Sequence, residues 1–279
     1  MSLWKRSTVL AVTAFTALAV TACGSEPGSS SEAPQQPSVL KLLASDLKGS
    51  LQKVVDTTDK ADSVAVKLEG TAAGEKMSMQ GVIDLGDPLK FEMTTPGEDG
   101  TPTTVRMIGT TVYTQVPEAE RANMGGKSWL MMDLSAVGEM AGMDVTKQFD
   151  DMDPTKQAKT LLATEGITAV GEETVNGAAT VHYTVTAPVA TYLGQLDAEM
   201  RKGVEQELAK QGVKEVKLDL WVDEQYQPRR ARMVMGTMSD MTIDYTDYGK
   251  PVTIETPPPA ETTDLMKMLE ELKDMSAGS

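Results

Sequence analysis

Methionine is the chemically distinctive residue of this 279-residue chain: 19 methionines stand against 3 phenylalanines, 3 tryptophans and 6 tyrosines. Four of them, Met233, Met235, Met238 and Met241, fall in the stretch RMVMGTMSDM. Thioethers offer two kinds of chemistry. They select Cu(I), and both MGTMSDM and MAGM (140–143) carry the Met-x-x-Met spacing of exported copper-handling segments. They also make soft, polarizable walls that adapt to apolar ligands of irregular shape. A third reading is a strand core that uses methionine where aromatic rings are scarce.

Other reactive groups are few. One histidine, His182, and one cysteine, Cys23, leave the usual nucleophile–base pairs without partners. No G-x-S-x-G, P-loop or H-E-x-x-H motif is present. His182 lies in VHYTV, opposite in parity to Val181 and Tyr183, so it reads as a surface strand residue rather than a ligand. The carboxylate pairs Glu172-Glu173 and Asp150-Asp151 read as loop or helix-start residues, where acids are common. The expectation is a protein that is not an enzyme, with no catalytic residues, no cofactor and no metal site.

The N-terminus addresses the chain. Lys5 and Arg6 precede an apolar, Ala/Thr-rich run from Thr8 to Ala22, the pattern of an export signal. It ends VTAC at Cys23, which looks like a bacterial lipobox. A lone cysteine at the cleavage point cannot form an internal disulfide and is placed to carry acyl chains, each buried methylene contributing about 0.8 kcal/mol of anchoring. Residues 24–38 are Ser, Pro, Gly, Glu and Gln with no large apolar side chain, a flexible tether. The expected organisation is a signal peptide over 1–22, the lipidated cysteine and tether over 23–38, and one domain over 39–279. The chain would then sit lipid-anchored on the extracytoplasmic face of the cell membrane.

With 41 acidic and 26 basic residues the net charge is −15, and no basic run exists to hold a phosphate backbone. Nucleic acid is excluded as a partner on that ground.

Leu40, Leu43, Leu47, Leu51, Val54 and Val55 are spaced by threes and fours, which predicts an amphipathic helix over 39–60. Thereafter the apolar period is two, broken by turns rich in Gly, Asp and Pro. Asn176-Gly177 between alternating segments is a strong hairpin signal. Asp153-Pro154 reads as a helix start, and a second long helix runs from about Pro188 to Gly212. After TPPPAE, a short helix aligns Leu265, Met268, Leu269 and Leu272. The sum is α+β: about eleven strands in a large curved antiparallel sheet, a mostly sequential meander with helices covering its inner face. Strand parity places Met77, Met79, Leu89, Phe91, Met93, Val105, Met107, Leu218, Leu220, Met233, Met235, Met241 and Ile243 on the inward side. Met238 falls outside that set, and GTMSD is a candidate turn.

A lipobox cysteine, a Ser/Pro tether, an opening helix and a long β-meander together resemble the actinobacterial lipoproteins of the LppX/LprG type. The most specific pieces are Trp221-Val222-Asp223 with Pro228-Arg229, and Tyr245-Thr246-Asp247-Tyr248-Gly249 with Pro251-Val252; GEETVNGAATVHYTV resembles the family's central hairpin. The resemblance implies a LolA-like half-open β-barrel with helices as a lid. It also implies a lipid or acylated glycolipid carried in the hollow, and an envelope transporter as a partner. On this reading the inward residues line a lipid cavity and the protein is a monomer. A Cu(I)-handling lipoprotein and a structural or signalling module are the alternatives.

Overall fold

The computed structural model describes residues 38–97, 100–136, 154–194, 201, 205–206 and 208–269. The signal sequence, Cys23, the tether, MAGM, Asp150-Asp151 and Asp153 lie outside the described residues.

The opening amphipathic segment forms two helices, α1 (Val39–Ser45) and α2 (Leu47–Thr58), rather than one. Asp46 is the reason. Its backbone leaves helical geometry at φ −116°, ψ 76°, and its carboxylate accepts from the amide of Gly49 at 3.1 Å, capping α2. The apolar spacing survives the break, and Leu40, Leu43, Leu51, Val54 and Val55 are all buried.

Among the described residues twelve strands follow, in one open sheet. They are β1 (Ser63–Ala72), β2 (Glu75–Asp84), β3 (Lys90–Thr95), β4 (Thr103–Ile108), β5 (Thr111–Gln115) and β6 (Trp129–Asp133). After helix α3 (Pro154–Ala163) come β7 (Thr168–Val175) and β8 (Ala178–Pro188), then α4 (Val189–Leu193). β9 (Glu215–Asp223), β10 (Pro228–Met235), β11 (Ser239–Thr246) and β12 (Thr262–Asp264) complete it. The spatial order is β12-β6-β5-β4-β3-β2-β1-β11-β10-β9-β8-β7. Two antiparallel meanders, β1–β6 and β7–β11, are thus joined by one long-range ladder in which Val66 faces Tyr245.

This differs from a single sequential meander: β6 and β7, neighbours in the chain, are not neighbours in the sheet. The twelfth strand lies just past TPPPAE, where β12 pairs in parallel with β6 before a helical turn at 265–269. Short turns set the remaining register. Ala73-Gly74 and Asn176-Gly177 both take positive φ at two successive residues, the geometry that a tight hairpin requires. The second long helix is seen as α4 and a helical stretch that ends at Gly212 (φ 68°), with Val213 N–H donating to the Leu208 carbonyl.

α1 lies against β7 and β8, and α3 packs on α2 and β9. Their apolar sides meet one face of the sheet, hereafter the inner face, in a single core that includes Leu43, Leu51, Val54, Val64, Ile83, Phe91, Tyr183 and Leu220. The Tyr183 hydroxyl donates to the Leu43 carbonyl at 2.8 Å, tying α1 to β8. Burial drives its phenol well above the usual range. Among the described residues no helix is long and apolar enough to cross a membrane.

Candidate functional site

The inner face is continuous in register across the strands that carry the sequence-predicted residues. One row runs Met77 (β2), Gly70 (β1), Met241 (β11), Met233 (β10), Leu218 (β9) and Val185 (β8). The next runs Met79, Leu68, Ile243, Ala231 and Leu220. Further along, Val105 opposes Met93 and Met107 opposes Phe91 on β4 and β3. Leu89, just before β3, packs against the same core. The thirteen residues named from parity therefore share one face. The turn at 236–238 has an odd number of residues, so Met235 pairs with Ser239 and the parity carries through from β10 to β11.

Burial on this face is graded along each strand. On β2, Ile83 is 2% exposed while Met77 is 41% exposed. On β1, Val64 and Val66 are buried, and Leu68 is half-buried. On β11 and β10, Tyr245 and Ala231 are buried, while Ile243, Met241, Met233 and Met235 are half-buried. The sealed ends lie together, and so do the open ones. At the open end the apolar side chains are chiefly methionines.

Two glycines shape the floor between these ends. A Cβ on Gly70 would stand 2.1 Å from the Asp240 carbonyl oxygen and 2.8 Å from the Met241 sulfur. A Cβ on Gly81 would stand 1.9 Å from the Glu92 oxygen. The neighbouring strand leans over the inner face at both places, which only a residue without a side chain permits. Met241 lies over Gly70, on the side toward Met77.

The Met-x-x-Met segment divides between surroundings. Met241 lies on the inner face, Met238 packs in the turn beside the small cluster of Leu193, Leu208 and Val213, and Met235 touches both that cluster and the main core. No three or more His, Cys, Asp or Glu side chains gather as a metal site among the described residues.

The outer face carries a cluster that parity reasoning missed. His182 is on that face, as its alternation predicts, but it is only 9% exposed rather than a surface residue. Its ring stacks on Trp221, with centroids 4.1 Å apart. Nδ1 lies 2.9 Å from Glu173 Oε1, and Nε2 lies 2.9 Å from Asp219 Oδ1. The Trp221 indole N–H donates to Glu173 Oε2 at 2.7 Å. Glu172 and Glu173 sit in β7, not in a loop or at a helix start. The Trp221 hydrogen bond, with His182 beside it, holds the Glu173 carboxyl below its ordinary value. Burial pushes Asp219 up, but Thr184, His182 and Lys217 outweigh it, and its carboxyl also lies low. The two-residue NG turn sets Glu173 opposite Thr180 and Gly171 opposite His182, which puts 173 and 182 on one face; what it could not supply is the long-range pairing of His182 with Trp221 on β9.

Beside it, Arg230 holds Asp244 by two bonds of 2.6 and 2.8 Å, and Arg232 holds Asp240 at 2.8 and 2.7 Å. With Lys67 and Glu69 they line a shallow outer groove of about 460 Å³. Each guanidinium there already faces a carboxylate, so the groove reads as a network of paired charges on the solvent side of the sheet.

The described residues thus form an open sheet with helices on one apolar face and paired charges on the other. The chain belongs to the LppX_LprAFG lipoprotein family, whose model matches residues 48–254. It is similar to the lipoprotein LppX of Mycobacterium tuberculosis, with a TM-score of 0.50 and 16% identity over 75% of this chain and 98% of that one. It is similar also to LprF of Mycobacterium bovis, with a TM-score of 0.51 and 16% identity over 76% of this chain and 97% of that one. At that identity the likeness shows the fold. Among sequence relatives, a Streptomyces coelicolor protein named as a candidate lipoprotein is 30% identical over 95% of this chain and 96% of its own. An uncharacterized 31.2 kDa protein of Streptomyces griseus is 31% identical over 78% of this chain and 75% of its own.

Proposed function

We propose that the protein is a membrane-anchored, extracytoplasmic lipoprotein that binds and carries a lipid or acylated glycolipid against its inner face. The observation that carries this reading is the gradient along β2, β1, β11 and β10: sealed at Ile83, Val66 and Ala231, open at Met77, Met79, Met233 and Met241. The helices already fill the sealed end, so an alkyl chain would lie against the methionines of the open end and leave its polar head in water. Moving a long acyl chain into water costs about 0.8 kcal/mol per methylene, so a face that covers the chain removes most of that barrier. The task needs no nucleophile, cofactor or metal. Methionine walls adapt to chains of different shape and still release them. The inward residues from Met77 to Ile243 are then the lipid contacts. Residues 1–22 serve as signal, Cys23 carries the acyl anchor, 24–38 form the tether, and the domain begins at Val39. The family, LppX and the Streptomyces coelicolor relative all bear the name lipoprotein, which supports the anchor.

The test is extraction of the Cys23→Ala protein, purified from a Streptomyces host, with organic solvent and mass spectrometry of the extract. A defined lipid near one per protein supports the carrier reading. Protein that neither retains lipid nor takes up a fluorescent long-chain fatty acid would overturn it.

A further inference from the structure

We infer that the methionine row at the open end is an oxidation-sensitive site, at which conversion of thioethers to sulfoxides turns the apolar mouth polar and ejects its ligand. The inference rests on the lipid-carrier reading and adds a modification to it.

Three observations carry it. Met77, Met241 and Met233 lie in one register row, with only Gly70 between the first two. Gly70 has no side chain to cover Met241, whose sulfur lies directly over it. Met77 is 41% exposed, and Met79, Met233, Met235 and Met241 are half-buried, whereas Met93 and Met107 on the same face are each 3% exposed. One face therefore holds accessible and protected thioethers side by side, and the accessible ones sit where a chain would enter.

The reactant is a peroxide. Its distal oxygen is transferred to the methionine sulfur as the O–O bond breaks and an S–O bond forms; the sulfur loses two electrons and the peroxide leaves as water or alcohol. The product is a polar, chiral side chain in place of an apolar one. The change is reversible by reduction, so the mouth can be reset. Nothing else in the row supplies apolar surface at this end, because Gly70 presents only backbone. Leu218 and Val185, the continuation of the row, are already covered.

The experiment treats the Cys23→Ala protein with graded hydrogen peroxide and follows two readouts: sulfoxide at each methionine by peptide mass spectrometry, and retention of a bound fluorescent long-chain fatty acid. A second protein carries Met77→Leu, Met233→Leu and Met241→Leu, which keep volume and apolarity. Among the methionines of the inner face, the expected result is that Met77 oxidises first and Met93 and Met107 last. Affinity in the parent falls about tenfold or more, the scale of losing part of one buried apolar side chain, while the affinity of the triple variant, whatever its untreated value, does not change on peroxide treatment. Equal oxidation of Met93 and Met77 would overturn the inference, as would equal loss of ligand from the triple variant. Untreated protein that never binds the probe defeats the carrier reading itself; bound probe that survives complete oxidation of the row defeats only the sulfoxide switch.

Discussion

His182 and Trp221 stack with their planes 15° apart and both reach the same carboxylate, Glu173, through different oxygens. Two aromatic rings, two acids and Lys217 thus close a small polar network over β7, β8 and β9, on the side of the sheet away from the helices. The network consumes the only histidine of the chain, and the geometry explains it as a clasp between strands.

Truncating the clasp leaves one buried carboxylate oxygen unmatched. His182→Ala removes the partner of Asp219 Oδ1, whose side chain is 1% exposed, while Lys217 stays at Oδ2 and Trp221 stays on Glu173. The expected cost is about 1–3 kcal/mol, the penalty for a buried acceptor left unmatched, read from the urea midpoint. Trp221 fluorescence should shift in the same variant, since its stacking partner is gone. A midpoint equal to the parent's would show that the clasp contributes nothing to the fold.

Acid should open it. Asp219 and Glu173 are both depressed below their ordinary values of 3.8 and 4.5. A depressed carboxyl contributes stability that is complete above the ordinary value and lost as pH falls through the folded one. Stability is therefore expected to fall as the pH drops below about 4. Asp219→Asn should be less stable than the parent at neutral pH and lose less on acidification. Urea titrations across that range check the sign, and parallel losses in the two proteins would contradict it.

The two floor glycines should be intolerant for a reason their turns do not share. Gly70→Ala and Gly81→Ala each drive a Cβ into a neighbouring carbonyl, forcing backbone shifts worth about 1–3 kcal/mol or more. Gly74→Ala meets no atom within 4 Å and bears only its positive φ, a cost of about 1 kcal/mol. Thermal melts of the three variants should rank in that order.

Sealed and open ends should separate stability from binding. Ile83→Ala, at 2% exposure, is expected to cost about 2–5 kcal/mol through the cavity it leaves. Met77→Asp should change stability by no more than about 0.5 kcal/mol, as an exposed position does, yet weaken uptake of a fluorescent fatty acid. Unfolding curves and probe titrations on the same two proteins test both halves.

Local pattern carried far in this chain. Alternation along β2, β3, β10 and β11 placed Met77 and Met79, Phe91 and Met93, and Met233 and Met241 on one side, because a strand's period of two survives any turn that keeps the parity, and the Gly236 turn does. Asn176-Gly177 marked a hairpin for the same local reason, and the structure gives both residues the positive φ that such a turn requires. What stayed hidden depends on partners far away in sequence. Nothing in residues 63–72 says that their other neighbour is 239–246, and nothing near Thr262 announces a parallel pairing with Trp129. Asp46 could have been read as a cap, but the unbroken apolar spacing on both sides outweighed it. The environment of His182 needed the register of three strands at once, since Trp221 and Asp219 reach it from β9.

The ladder between β1 and β11 has a consequence for how the molecule comes into being. Each meander can assemble from contacts between successive strands, which is fast, but the seam between Val66 and Tyr245 must wait for nearly the whole chain to exist. As the polypeptide is made from its N-terminus, β1 stands with one edge bare, a template for any stray strand, until β11 arrives to occupy it. A seam near the middle of the finished sheet is then among the last to zip, followed only by the pairing of β12 with β6. That half-built interval, more than any weakness of the completed fold, is when the chain is most exposed to joining the wrong neighbour.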